Sequence, residues 1–295
     1  MSNQRLPKTV GLFGLGLIGS SLARRLMAAG VDVCGYDPDA EAMKRLDVAG
    51  GKSMPAEEVW ESDLVLSAVF NTEQLQSLVA DAPVQTGKRL ISMSTCDPAE
   101  MPAIAALADD RGIELVEAPI SGTSADLANG NAVLLVAGQQ DSATELAGLF
   151  EILSRAHFFV GAIGSGNKAK LAINLILGLS RVAVAEGLVF AQAVGLDQST
   201  FFEIARESAA ASKVMESKGP KMVARDFQPL GRITQSAKDF GLIYDTAKSV
   251  GQGLPMTERY LEVVGDNIEQ GEGDLDNCAV MLALERARLP WVKPR

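Results

Sequence analysis

The sequence predicts an α/β N-terminal domain followed by an all-α C-terminal domain built on a long interdomain helix. Before Gly164, short β-branched or apolar runs alternate with amphipathic segments, which is the βαβ rhythm of a parallel sheet. After it the residues are mostly Ala, Leu, Ile and Val with few breakers, and the strand pattern stops. The 295 residues are 47% hydrophobic and 22% charged, enough apolar material for one large or two moderate domains.

In chain order, Thr9–Phe13 reads as a strand, Ile18–Ala29 as a helix, Val31–Tyr36 as a second strand and Asp39–Ala49 as a second helix. Leu64–Val69, Leu90–Ser94, Ile113–Glu117 and Ala132–Val136 continue the strand series, with helices expected over Pro98–Leu107 and Ala125–Asn129. Ser142–Leu153 reads as one helix with Asp141 as its N-cap, and His157–Val160 as a last short strand. From Asn167 to about Val194 the pattern is a continuous helix, longer than the globular average of about 10–14 residues. Helices are expected at Asp197–Arg206, Ile233–Val250, Met256–Gln270 and Ala279–Arg288. The boundary is placed near Gly164–Gly166, giving domains over 1–165 and 166–295.

Composition removes several functions. There are 27 Lys+Arg against 37 Asp+Glu, a formal charge of −10, so no electrostatic footprint for nucleic acid or an anionic membrane exists. The single histidine, His157, argues against His-rich zinc sites and a Ser-His-Asp arrangement; it precedes Phe158-Phe159 and is read as structural. Cys34, Cys96 and Cys278 are odd in number and widely spaced, which opposes a disulfide framework or a metal cluster and makes a reduced cytoplasmic setting the default. The polar start, Met1–Lys8, shows no signal peptide, and Asn174, Arg181 and Glu186 within Leu171–Phe190 favour a buried helix over a membrane span.

Val10–Gly19 reads V-G-L-F-G-L-G-L-I-G, placing Gly14, Gly16 and Gly19 in G-x-G-x-x-G between a predicted strand and helix. Gly14 permits the tight turn, Gly16 lets backbone approach a pyrophosphate, and Gly19 allows close helix–strand packing, the fingerprint of a dinucleotide-binding Rossmann domain with Leu15, Leu17 and Ile18 completing the loop. Asp37, at the end of the second strand, is placed to accept the ribose hydroxyls of NAD and to repel the 2′-phosphate of NADP. The expected cofactor is therefore NAD, with NADP disfavoured. Alternatively Asp37 caps the following helix, a place Asp39 can also fill.

With further motifs the chain resembles the β-hydroxyacid dehydrogenase family, which includes 3-hydroxyisobutyrate, tartronate semialdehyde, L-threonate and 6-phosphogluconate dehydrogenases. Glu117-Ala118-Pro119-Ile120-Ser121-Gly122-Thr123 is similar to the family's D-A-P-V-S-G-G substrate loop, with Glu for Asp and Thr for Gly. Gly164-Ser165-Gly166-Asn167-Lys168-Ala169-Lys170-Leu171-Ala172-Ile173-Asn174 is similar to G-x-G-x-x-x-K-x-x-N-N, with Ile173 in place of the first Asn. Lys238-Asp239 matches a K-D pair in the C-terminal half. Ala68-Val69-Phe70-Asn71 stands where many relatives have Leu-Pro, and that variant looks closest to threonate-type members.

Oxidation of a hydroxyl needs a base for its proton. With no usable histidine Lys170 is the candidate, a role the resemblance implies as well, and its task requires a pKa lowered by partial burial in an apolar helix wall. Asn174, one helical turn on, shares its face and can hold the substrate hydroxyl. Ser121, Gly122 and Thr123 offer hydroxyls and amides for a substrate carboxylate, or alternatively an N-cap loop for the next helix. The resemblance puts Val69, Phe70 and Thr95 against the cofactor and gives Lys238 a reach toward it. Otherwise Thr95 caps the Pro98–Leu107 helix and Lys238 pairs with Asp239 or Asp245. Cys96 has nothing orienting a base toward it and is not read as a nucleophile. The function expected is NAD-dependent oxidation of a small β-hydroxy acid, 3-hydroxyisobutyrate-, glycerate- or threonate-like, by a homodimer or homotetramer. The alternatives are an imine reductase-like enzyme, against which Lys170 and Asp37 argue, and a non-catalytic nucleotide sensor of the same fold.

Overall fold

The structure, a computed structural model, describes residues 6–84 and 86–287. It divides into two compact units between Leu171 and Ala172, inside one long helix.

The first unit alternates strands and helices: β1 Thr9–Phe13, α1 Leu17–Ala28, β2 Asp32–Tyr36, α2 Ala40–Val48, β3 Lys52–Ser53, α3 Ala56–Val59, β4 Leu64–Ser67, α4 Thr72–Ala80, β5 Lys88–Ser92, α5 Met101–Asp110 and β6 Ile113–Glu117. There follow β7 Ile120–Ser121, α6 Ser124–Ala128, β8 Val133–Ala137, α7 Gln140–Glu145, α8 Ala147–Leu153 and β9 Ala156–Gly161. The strand order is β3-β2-β1-β4-β5-β6-β8, with β7 and β9 also pairing β8. Strands β1 to β6 are parallel, as the βαβ rhythm predicts. The sheet is mixed beyond them, because β8 runs antiparallel to β6 and β7. A parallel crossover is usually built on a full helix, and residues 122–132 between β7 and β8 hold only the short α6, so the chain returns antiparallel.

Apolar residues cover both faces, as a parallel sheet requires. Leu12, Leu66, Ile91 and Val116 pack with α1, α2 and α8 on one side; Phe13, Val65, Leu90 and Leu115 pack with α3, α4 and α5 on the other. Two expected helices come out differently. Ser142–Leu153 is broken at Leu146 into α7 and α8, and Gln139, not Asp141, precedes α7, with no side-chain cap. The helix expected at Pro98 starts at Met101 behind Glu100, again without a side-chain cap, so Thr95 does not cap it.

Helix α9, Ser165–Ala193, runs across the division. The second unit adds α10 Gln198–Glu207, α11 Lys213–Val223, α12 Ile233–Ser249, α13 Pro255–Glu269, a 3₁₀ turn Asn277–Ala279 and α14 Val280–Arg286. Asp197 caps α10 by accepting from Thr200 N. The last predicted helix starts later than Ala279, and its expected end, Arg288, lies outside the described residues, as do Met1–Arg5 of the polar start. Helix α11 escapes the sequence pattern because Gly219-Pro220 sits inside it, yet a Cβ on Gly219 would lie 2.2 Å from the Phe202 ring, so the glycine is a packing requirement. Phe240 of α12 and Tyr260 of α13 stack at 3.6 Å over Gly178 of α9.

The expectation that Leu171–Phe190 is a buried helix fails. Helix α9 is long and apolar enough to cross a membrane by length and composition, but only 28% of its most apolar window is buried. Ile176 and Phe190 are 67% and 65% exposed, because within the second unit only part of the helix circumference meets other elements.

Candidate active site

The strand order reverses between β1 and β4, and in open α/β sheets ligands bind outside the carboxyl ends of the strands at such a point. The glycine loop lies there. Gly14 has φ +85°, and a Cβ on it would fall 2.6 Å from Ala68 O, so the loop presses against the chain leaving β4. A Cβ on Gly19 would sit 1.8 Å from Gly14 O, which fixes glycine at the helix–strand contact. Gly16 is different: a Cβ there would meet nothing, so its open side is the face where a pyrophosphate fits. Gly16 precedes α1 without a side-chain cap, leaving the first-turn amides for such a group. Leu17 is exposed and Ile18 half-buried, whereas Leu15 is buried.

Asp37 binds the loop directly. Its Oδ2 accepts from Leu15 N at 2.7 Å and its Oδ1 from Asp39 N at 2.8 Å, while Asp39 caps α2 through Glu41 N. The carboxylate is thus already fixed beside the loop, with lone pairs left for ribose hydroxyls. Beyond β4, Val69 is half-buried and Phe70 is 44% exposed, its amide donating to Gln74 Oε1. Thr95 is buried in the turn after β5.

The substrate-type loop leaves β6. Ser121 is half-buried and Gly122 exposed at φ +148°. Thr123 belongs to a capping box with Asp126: its amide and hydroxyl both donate to Asp126 Oδ2 at 2.7 Å, and its Oγ1 accepts from Asp126 N. The N-cap alternative therefore holds for Thr123, whose amide and hydroxyl are engaged with Asp126, while Ser121 and Gly122 precede the cap in the same loop.

Lys170, in the second turn of α9, is 7% exposed. Asn174 gives its amide nitrogen to Asp239 Oδ2 at 2.8 Å, leaving Oδ1 as the acceptor for a hydroxyl. Asp239 is itself buried and holds Lys238 Nζ at 3.0 Å and Gln235 Nε2 at 3.3 Å. The Lys238–Asp239 pairing kept open above is present. The contact of Asp239 with Asn174 was missed in the sequence, where Asp239 figured in the K-D pair and as a partner for Lys238. An amide in an apolar helix demands a partner, and that demand on Asn174, which is half-buried here, was the available signal.

Glu117 is also fully buried. It accepts from the amides of Gly164 and Asn167, the latter at 3.0 Å, at the start of α9. Burial pushes its carboxyl above the ordinary range against those hydrogen bonds. His157 lies against the Phe150 ring at 5.5 Å, the structural place expected of it.

A dinucleotide loop at a sheet switch point, followed by a lysine-bearing helix, defines an NAD(P)-dependent dehydrogenase acting on CH–OH groups. Residues 9–162 match the family model described as the NAD binding domain of 6-phosphogluconate dehydrogenase, and residues 164–284 that described as NAD-binding of NADP-dependent 3-hydroxyisobutyrate dehydrogenase. The chain belongs to the β-hydroxyacid dehydrogenase family. It is 27% identical to L-threonate dehydrogenase of Cupriavidus necator, over 97% of this chain and 99% of that one. It is 28% identical to glyoxylate/succinic semialdehyde reductase 2 of Arabidopsis thaliana, over 95% and 80%. The crystal structure of 3-hydroxyisobutyrate dehydrogenase from Salmonella typhimurium superposes with a TM-score of 0.85 at 25% identity, covering 93% of this chain and 99% of that one. Imine reductases share the fold at a greater distance.

Proposed function

We propose that the chain oxidises a small β-hydroxy carboxylic acid with NAD, with Lys170 as the general acid/base. The observation that carries this reading is Lys170 itself, an almost fully buried lysine one helical turn from an amide whose orientation Asp239 fixes. Asn174 Oδ1 receives the substrate hydroxyl, and Lys170 takes its proton in oxidation and returns it in reduction. Ser121 and the Gly122 amide bind the carboxylate, with Thr123 holding the loop. The nicotinamide, when bound, accepts the hydride from the carbinol carbon. Gly14, Leu15, Gly16, Leu17, Ile18 and Gly19 hold the dinucleotide phosphates, and Val69, Phe70 and Thr95 flank its nicotinamide side. Asp37 supports NAD over NADP, because a fixed carboxylate repels a 2′-phosphate. The names of the relatives support hydroxy acids of three or four carbons as substrates. The exposed apolar surface of α9 and α10 supports a homodimer or a dimer of dimers.

Initial rates with NAD and NADP on 3-hydroxyisobutyrate, glycerate, threonate, serine and 3-hydroxypropionate test this. Wild type turns over at least one acid with NAD preferred, and Lys170→Ala lowers kcat at least about 100-fold while retaining NADH binding. Full turnover by Lys170→Ala overturns the mechanism, and activity with NADP alone overturns the role of Asp37.

A further inference from the structure

The start of α9 is capped from far away. Helix N-termini are ordinarily capped by a Ser, Thr, Asp or Asn next to the first turn. Here the acceptor is Glu117, at the end of β6 and 47 residues upstream of Gly164, bonded to the amides of Gly164 and Asn167 and also to that of Gly166. Gly166 must be glycine for this to occur, since a Cβ would lie 2.6 Å from Glu117 Oε2 and 2.9 Å from Leu135 O. Asn167, fully buried, then extends the connection: its Oδ1 accepts from Cys96 N at 2.8 Å. One carboxylate and one amide thus join three pieces of chain. These are the strand that leads into the Ser121 loop, the turn Ser94–Cys96 after β5, and the first turn of the helix that carries Lys170 three residues beyond Asn167.

Stability alone does not account for this choice. A buried carboxylate costs desolvation free energy, which a local cap at the helix start would avoid. Within the sheet, Ser67, Ser92 and Glu117 are successive register partners across β4, β5 and β6, so Glu117 ends a polar row at the carboxyl edge, level with the switch-point loops. The Ser67 and Ser92 hydroxyls have no protein partner there, which makes this edge polar where the strands below it are apolar.

We propose that Glu117, acting through Asn167, is a positioning residue for Lys170: it sets the place of the ammonium relative to the Thr95 turn and the Ser121 loop. The proposal rests on the acid/base role of Lys170 given above. A displacement of about 1 Å in a reacting group can cost about 100-fold in rate, so loss of the clamp should appear in kcat.

The test compares Glu117→Gln, Glu117→Asp, Asn167→Ala and Lys170→Ala using the acid that wild type oxidises fastest, with NADH titration by fluorescence and amide hydrogen exchange. A Gln keeps the shape but replaces one acceptor oxygen with a donor. Glu117→Gln is expected to lower kcat at least about tenfold, with the NADH dissociation constant and binding stoichiometry within about twofold of wild type. Exchange should quicken in peptides spanning 94–98 and 163–171, and Glu117→Asp should recover most of kcat. Asn167→Ala, which leaves the carboxylate in place, should show the same selective loss and serves if Glu117→Gln does not fold. The proposal is overturned if kcat of the folded variant stays within twofold of wild type, if Asp is no better than Gln, or if NADH stoichiometry falls in parallel with kcat. Turnover by Lys170→Ala, or by wild type on none of the acids, would instead sink the acid/base reading beneath it.

Discussion

Asp276 shows what a buried charge requires in this chain. Its side chain is fully inaccessible and accepts from Lys218 Nζ at 2.8 and 2.9 Å, from Leu230 N at 2.7 Å and from Cys278 N at 3.0 Å. Burial raises the Asp276 carboxyl, but the Lys218 ammonium and the amides outweigh it and hold the group below its ordinary value of 3.8. Burial also pulls Lys218 down, against the attraction of Asp276. Because the folded chain releases the Asp276 proton more readily than the unfolded one, this stabilisation is present above pH 3.8 and is lost as pH falls through the lower folded value. Removing one member of such a pair leaves a buried charge uncompensated, so Asp276→Asn should cost about 3–5 kcal/mol at pH 7. Urea unfolding at pH 7 and pH 3 checks this, and the difference from wild type should shrink at the lower pH.

Among the elements, β1, the loop and α1 behave as a single geometric unit. The closeness of Gly19 to Gly14 O leaves no place for a methyl, so Gly19→Ala must push α1 away from β1. Forced overpacking of this kind costs about 1–3 kcal/mol, and here it also moves the first-turn amides that would hold a pyrophosphate. The variant should show a lower urea midpoint and weakened NADH binding together. A variant that loses stability but binds NADH as wild type does would separate the packing role of Gly19 from the phosphate site. The helical half obeys the same steric rule at Gly178 and Gly219, where rings, not a backbone carbonyl, occupy the space.

At the scale of the whole molecule the telling feature is the apolar surface left on the second unit. Ile176 and Phe190 of α9, Val194 and Leu196 after it, and Ile204 of α10 are all more than half exposed. Large apolar side chains left exposed along α9, the segment after it and α10 are the pattern of a surface covered by a partner. Covering by a second copy predicts at least a dimeric mass in light scattering, and Ile204→Glu together with Phe190→Glu should shift the mass toward the monomer. A monomeric wild type would exclude this form of assembly.

Much of the fold was legible because two periods dominate the sequence. Alternating runs gave β1 and β6 to the residue, and the unbroken apolar stretch gave α9. Boundaries moved by one to three residues where no cap marks an end, as at α5 and α7, and α11 was hidden by a Gly-Pro pair whose presence only packing against Phe202 explains. Of the candidate site, the sequence by itself determined which residues to propose, the glycine loop, Asp37 and Lys170, since each depends on residue type at a fixed spacing. The tertiary structure decided what depends on separate pieces of chain meeting. It turned the Asn174 amide toward Asp239, reversed β8 and brought Glu117 to the start of α9. Hydrogen bonds between residues 47 to 65 positions apart leave no local pattern, because their energy is realised only when the chain has closed those loops.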